Sequence, residues 1–306
     1  MNLELFFLGT GASVPTRSRN VPSLGIRRGS RTLLIDCGEG TQRQIQATAL
    51  TLPGLEAVLL THLHGDHVLG LPGAILSMEM AGRTTPLRIV APTGSRRVLE
   101  TLLGAFPVSF PILLEEMSEE GELADVLGCR VRALRTRHGT SSLAYRIDEP
   151  RRPGRLDRDR AASLGVPEGP LLGLLQKGEA VEVAGRRVMP SEVVGEERRG
   201  RSLVASGDTA YLPELATFAR GADVLVHEAT YGEEHAHLAA ERDHSTAAQA
   251  ATVAADAGVE GLYLVHLSPR YHDPQGIERL LAEARAIFPN TEIPADLTVV
   301  EIPLPG

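Results

Sequence analysis

The chain has 306 residues, a formal net charge of −8, 42% hydrophobic and 23% charged residues. That length can bury a large core in one elaborated domain or two, and the balance excludes disordered and fibrous classes. No 18-residue apolar run is present, which excludes a membrane-spanning helix, and the start carries no basic leader or cleavage site, so a cytoplasmic protein without membrane contact is expected.

In chain order, apolar and alternating runs predict strands at 3–8, 32–36, 57–60, 87–90, 130–137, 142–147, 202–206, 223–227, 261–266 and 297–302. Helical periodicity falls near 40–48, 67–81, 94–104, 212–220, 245–257 and 274–287; Ser245 or Thr246 caps the fifth and Gly258 stops it. This strand–turn–helix rhythm predicts a layered α/β fold. It breaks between Asp148 and about Arg199, in a stretch rich in Pro, Gly and Arg that reads as an insertion projecting from the core. Cys37 and Cys129 sit beside glycines in apolar runs and are expected to be buried free thiols. Lys177 is the only lysine.

The strand at 57–60 runs into Thr61-His62-Leu63-His64-Gly65-Asp66-His67, which packs three His and one Asp into six positions. Imidazole and carboxylate suit zinc or a similar first-row metal. One tetrahedral ion cannot easily use all four at this spacing, so His62 with His64 and Asp66 with His67 suggest two adjacent metals. Three further candidates, His138, Asp208 and His266, each stand where a strand gives way to a loop, the edge at which layered α/β proteins build sites.

The H-x-H-x-D-H string resembles the signature of the metallo-β-lactamase superfamily, which implies an αββα sandwich. The family supplies the partition of ligands: His62, His64 and His138 on one metal, Asp66, His67 and His266 on the other, with Asp208 bridging. Zinc, two ions per subunit, is the implied occupant, and manganese is an alternative.

Secondary motifs narrow the resemblance. His227-Glu228-Ala229-Thr230, His244-Ser245-Thr246 and Ser268-Pro269-Arg270-Tyr271 follow the later strands, and Pro15-Thr16-Arg17-Ser18-Arg19-Asn20 stands near the start. Within 150–195, Gly169-Pro170 and Lys177-Gly178 resemble the Gly-Pro segment of a protruding arm. Together these resemble the short form of ribonuclease Z, the tRNA 3′-processing endonuclease, across nearly the whole chain. The N-terminal loop departs from that family's usual P-x-K-x-R-N in carrying Arg17 for lysine, which keeps the charge and changes the shape.

The resemblance implies a single metallo-β-lactamase-fold domain over 1–306 with an inserted tRNA-binding arm at 150–195. It implies a homodimer acting on precursor tRNA, leaving a tRNA 3′-OH and a trailer 5′-phosphate by attack of metal-activated water. Asp66 would also orient or deprotonate that water. His244, set by Glu228, would protonate the departing 3′ oxygen. Arg17, Arg19, Asn20, Gly169, Pro170, Lys177 and Arg270 would contact substrate, and Asp36 could orient a ligand histidine. Net acidity does not oppose RNA binding, because residues 5–35 carry five arginines and no acid, and 151–160 carry five arginines against two aspartates. Three alternatives share much of the pattern: another hydrolase of the superfamily such as a small-molecule phosphodiesterase, an RNA 3′ exonuclease, and a non-catalytic RNA-binding module.

Overall fold

Alternating apolar residues pair into two seven-stranded sheets in the computed structural model, which describes residues 2–305. The first half of the chain supplies β1 (Leu3–Gly9), β2 (Ser23–Arg28), β3 (Arg31–Ile35), β4 (Leu55–Leu59), β5 (Leu87–Pro92) and β6 (Ile112–Met117), with helices α1 (Thr41–Gln46), α2 (Gly65–Val68), α3 (Leu71–Met80) and α4 (Arg96–Gly104). Next come β7 (Glu122–Val126), β8 (Cys129–Arg135) and β9 (Leu143–Asp148). The interval that breaks the rhythm holds α5 (Arg158–Ser163), α6 (Pro170–Gln176), β10 (Val181–Val183) and β11 (Arg186–Val188). The rest is β12 (Ser202–Ala205), α7 (Glu214–Ala219), β13 (Val224–Glu228), α8 (Ala236–Glu241), α9 (Ala247–Ala257), β14 (Gly261–Val265), α10 (Pro274–Arg285), β15 (Thr291–Glu292) and β16 (Val299–Glu301).

Contacts divide the chain into two compact units, Met1–Asp148 with Ser202–Pro303, and Glu149–Arg201 with Leu304–Gly306. In the larger unit one sheet runs β16-β1-β2-β3-β4-β5-β6 and the other β15-β14-β13-β12-β9-β8-β7. Side chains on a strand alternate between faces. Leu5 and Phe7 therefore join Tyr145, Ile147 and Leu203 in the core between the sheets, while Phe6 and Leu8 pack outward with Ile75 of α3 and Leu99 of α4. On the other sheet, Val204, Leu225 and Leu264 face Leu215 of α7, Ala250 and Ala254 of α9 and Leu280 of α10. The result is the expected four-layer αββα sandwich.

The single helix expected at 67–81 is two, α2 and α3. The chain turns at Gly70, where an added Cβ would lie 1.9 Å from the Gly38 carbonyl oxygen, so only glycine lets the segment sit this close to the loop after β3. Strand β2 was not foreseen, because Gly25 and the paired Arg27 and Arg28 blur its alternation.

The smaller unit contains the expected 150–195 insertion and has a core of its own, built from Ala161, Val166, Leu172, Leu175, Val181, Val188 and Val193. Asp157 caps α5 by accepting from the Arg160 amide, and β10 and β11 form an antiparallel hairpin. Its two chain ends are tied by a buried, two-pronged ion pair, Arg201 Nε to Glu149 Oε2 at 2.7 Å and Nη2 to Oε1 at 2.8 Å.

Candidate metal centre and active site

Strands β4 and β14 run parallel to both neighbours in their sheets, and β12 runs parallel to β13. β8 and β12 are both antiparallel to β9, so they run the same way as each other. The residues just past the C-terminal ends of β4, β8, β12 and β14 are therefore brought to one edge of the sandwich. These are His62–His67, His138, Asp208 and His266. The structure brings all seven sequence-predicted ligands together there.

His62 Nε2 lies 3.0 Å from His64 Nδ1, which lies 3.1 Å from His138 Nε2. Asp66, His67 and His266 form a second group. His67 Nε2 and His266 Nε2 stand 3.7 and 3.6 Å from Asp66 Oδ2. A single oxygen, Asp208 Oδ2, reaches both groups. It lies 3.2 Å from His266 Nε2, 3.4 Å from His67 Nε2, 3.8 Å from His62 Nε2 and 3.9 Å from His138 Nε2.

These donors fit cations. The Nε2 atoms of His67 and His266 are buried and have no hydrogen-bond partner, a costly arrangement unless a ligand takes the lone pair. Ligand atoms on a tetrahedral ion about 2.0–2.1 Å away stand roughly 3.3–3.4 Å apart, close to the spacing here. Burial and then the crowding of His67 hold the His62 imidazole well below its ordinary pKa, which keeps it a neutral donor. For His67 burial opposes charge, but Asp208 and Asp36 outweigh it and push the imidazole well above the ordinary value, the mark of a site built for positive charge.

Four of the five rings are aimed by their other nitrogen. His67 Nδ1 donates to Asp36 Oδ2 at 2.8 Å, and Asp36 Oδ1 accepts from the Thr61 amide at 2.8 Å. His62 Nδ1 donates to Thr61 Oγ1 at 3.0 Å, His266 Nδ1 to Thr230 Oγ1 at 2.8 Å and His138 Nδ1 to the Asp243 carbonyl at 3.0 Å. Such partners fix tautomer and orientation. Asp66 is held by the Ser13 amide at 2.8 Å. Asp36, Asp243 and His266 all have positive φ, at 59°, 53° and 57°, backbone that non-glycine residues seldom adopt and that gathers at functional sites. Asp36 thus takes the ring-orienting position expected for it from the sequence. Thr61, Thr230, Ser13 and the Asp243 carbonyl were not anticipated.

Beside the donors stand Glu228, at the end of β13, and His244. Glu228 is buried and ringed by donors. His244 Nδ1 and the Thr209 amide reach Oε1 at 2.8 Å each, while Thr230 Oγ1 and the Ser245 amide reach Oε2 at 2.7 and 3.1 Å. With Nδ1 committed to Glu228, His244 is left with Nε2 free for other chemistry. Burial lowers the His244 pKa, but Glu228 outweighs it and raises it to about 9. The segment is rigid: Thr246 caps α9 with a reciprocal Gln249 contact, and the His244 amide bonds the Ala239 carbonyl at 2.9 Å.

A cleft of about 470 Å³ opens over these groups, lined by His64, Asp66, His138, Asp208, His244 and His266, and also by Val14, Glu39, Leu69 and Arg242. Next to it, sharing Pro15 and Glu39, lies a hollow of about 480 Å³ lined by Arg17, Asn20, Arg43 and Gln44. Arg17 is exposed there, and Asn20 is half-buried with its Nδ2 donating to the Glu39 carbonyl at 2.8 Å. Arg19 points inward. It is 7% exposed, and its guanidinium bonds Thr10 Oγ1 and, at 2.7 Å, the Pro294 carbonyl. Asp296, unremarked in the sequence, gathers the same loop by accepting from the amides of Thr10 and Asn20 at 3.1 and 2.6 Å. Arg270 is exposed and lines neither hollow. Gly169, Pro170 and Lys177 are exposed on the smaller unit.

Known proteins resemble this chain in sequence and in fold. The family model for the anti-Pycsar protein Apyc1 matches residues 3–106. The ribonuclease Z of Shouchella clausii is 44% identical over 317 residues, covering 99% of this chain and 98% of that one. The ribonuclease Z of Methanosarcina acetivorans is 42% identical over 303 residues, covering 98% of each. The crystal structure of human short-form tRNase Z superposes with a TM-score of 0.71 at 24% identity, over 98% of this chain and 99% of that one. YhfI of Bacillus subtilis, a metallo-β-lactamase fold protein, gives 0.72 at 18% identity, over 98% of this chain and all of that one. The architecture is a metallo-β-lactamase fold, its His and Asp clusters form a metal-binding site, and full-length identity above 40% to proteins of one kind places the chain in the ribonuclease Z family.

Proposed function

We propose that this protein is a zinc-dependent endoribonuclease that cuts the 3′ trailer from precursor tRNA, leaving a tRNA 3′-OH and a trailer 5′-phosphate. The observation that carries it is the adjacency of two things in one cleft. One is a convergent donor set sharing Asp208, and the other is His244 held by Glu228 with Nε2 free. The full-length likeness to ribonucleases Z supplies the substrate class.

His62, His64 and His138 would hold one zinc ion, and Asp66, His67 and His266 the other, with Asp208 shared. Bound cations there supply charge neutralisation of the phosphate and acidification of water. The protein's own groups do the rest. Asp66, held at Oδ2 by the Ser13 amide, orients the attacking water. His244 gives a proton from Nε2 to the departing 3′ oxygen, a poor leaving group without it, while Glu228 keeps the ring in place. The aligned rings of His244 and His266, with centroids 5.3 Å apart, put the donor beside the metal ligands.

The smaller unit would grip the folded tRNA. Arg151, Arg155, Arg158, Arg160 and Arg187 are exposed on it, along with the Gly169-Pro170 corner. The enzyme would work as a homodimer; in support, Leu69, just past α2, and Leu76 and Met80 of α3 are exposed apolar side chains. Among the described residues no helix is long and apolar enough to cross a membrane, in keeping with a cytoplasmic site of action.

The decisive experiment incubates purified protein with a precursor tRNA carrying a 3′ trailer, with and without chelator, and sizes the products. A single chelator-sensitive cut after the last tRNA nucleotide is expected. Stepwise shortening would replace this reading with a 3′ exonuclease, and binding without cutting would replace it with an RNA-binding module.

A further inference from the structure

The cleft over the metal donors is acid-rich, with Glu39, Asp66 and Asp208 in its lining, and Arg242 is its only arginine or lysine. Arg242 is exposed, and among the described residues no hydrogen bond or ion pair engages its guanidinium. Neighbouring Arg137 differs, its Nε lying 3.7 Å from Asp243 Oδ1. Nor is Arg242 on a mobile tip. It ends α8 with its amide on the Leu238 carbonyl at 3.0 Å. Asp243 then turns through the left-handed region, and the His244 amide closes on Ala239. An unpaired guanidinium is thus carried on hydrogen-bonded backbone two residues from the proposed proton donor, in a cleft meant for a polyanion.

We propose that Arg242 is a positioning residue that binds a substrate phosphate, the one immediately 5′ of the last tRNA nucleotide. The side follows from the chemistry, given the tRNA-cleaving reading on which this rests. His244 must face the 3′ oxygen that leaves, and that oxygen belongs to the last tRNA nucleotide. The next phosphate on that side hangs from the 5′ carbon of the same ribose. A guanidinium rooted beside His244 therefore meets the backbone of the tRNA, not of the trailer. Its planar fork suits phosphate oxygens, and it is the one arginine or lysine in the cleft lining placed to meet them.

The test pairs a protein change with a substrate change, on enzyme whose zinc content is verified. Arg242→Ala should lower kcat/KM for precursor tRNA roughly tenfold, the factor of one charge-assisted contact. Arg242→Lys should recover much of the loss. The log–log dependence of kcat/KM on salt should flatten by about 0.7, one single-strand phosphate contact. A precursor with one neutral methylphosphonate at the phosphate 5′ of the last tRNA nucleotide should slow the wild type by a similar factor and slow Arg242→Ala little further. A merely structural role would make the two losses multiply. Multiplying losses, or an Arg242→Ala enzyme as fast as a cutting wild type, would overturn the assignment. Coupling to the trailer-side phosphate instead would overturn the side. A wild type that does not cut precursor tRNA would sink the tRNA reading and this inference with it.

Discussion

His67 and His266 hand their Nδ1 protons to Asp36 and Thr230, side chains that are themselves buried and bonded. His138, in the other ligand group, donates to the backbone carbonyl of Asp243, and exposed His64 turns its Nδ1 toward the centre instead. In one trio both rings are buried and anchored by side chains; in the other, buried His62 is likewise held by Thr61 Oγ1, while His138 is aimed by main chain and His64 is open to the cleft. The rings of His67 and His266 are therefore vulnerable to mutation of the side chains behind them. His138 should tolerate change in its surroundings, because a backbone carbonyl survives substitution of its own side chain.

The largest effect should come from the one residue both trios share. Asp208→Ala removes the oxygen that lies within 3.9 Å of four ring nitrogens. Cleavage of every substrate should fall to background and metal content below two ions per subunit. Retention of two ions with full activity would refute the bridging role.

His244 belongs to neither trio, so its loss separates chemistry from metal holding. His244→Ala should keep the metal content and slow precursor tRNA cleavage by about 10²–10⁴. A nitrophenyl phosphodiester, whose leaving group needs little protonation, should lose far less. Equal losses on the two substrates would show that His244 does some other job.

The comparison itself is put at risk by changing what lies behind each trio. Asp36→Asn weakens the acceptor for His67 and should cost roughly 10–100-fold in metal affinity, the range for ring-orienting partners. Asp243→Gly leaves the carbonyl in place and eases a residue at φ 53°, so metal affinity should shift by no more than about twofold. Competition with a chelator measures both. If Asp243→Gly lost as much as Asp36→Asn, the contrast between side-chain and main-chain anchoring would be wrong.

The ligands were legible as a set: His138, Asp208 and His266, each unremarkable alone at a strand end, follow the dense His62–His67 string in order. Their partition and the role of His244 came from resemblance, since spacing within 62–67 constrains only neighbours. The orienting groups stayed hidden for a physical reason: the Asp243 carbonyl and the Ser13 amide are main chain, which every residue has, and Thr61 and Thr230 are ordinary hydroxyls. Arg19 was expected to contact substrate, yet its guanidinium is drawn inside by Thr10, just past β1, and by Pro294, just past β15, contacts no local pattern encodes. In the fold, strands made of apolar runs such as β1 were plain, while α5 and α6 lay in a Pro- and Gly-rich stretch whose short helices are held by a small core of their own.

The smallest effect tests whether the buried trio seals the core behind it. Cys37 is buried, and that burial pushes its thiol up to about 12, so at neutral pH it is a protonated and inert group. Its cover is the metal motif itself: the Cys37 amide donates to the His67 carbonyl at 2.8 Å, and the Gly70 amide donates to the Cys37 carbonyl at 2.9 Å. Cys129 lies instead in the core between the sheets, away from that cover. With cations removed, Asp66, Asp208 and Asp36 are left as uncompensated acids around His67, and α2 should open more often. Labelling by a thiol reagent tracks such local opening. Chelated protein should therefore label at Cys37 several-fold faster than the metal-loaded form, with Cys129 slow in both. Equal Cys37 rates in the two forms would mean that α2 keeps its place without cations, and that the buried trio is set by the fold alone.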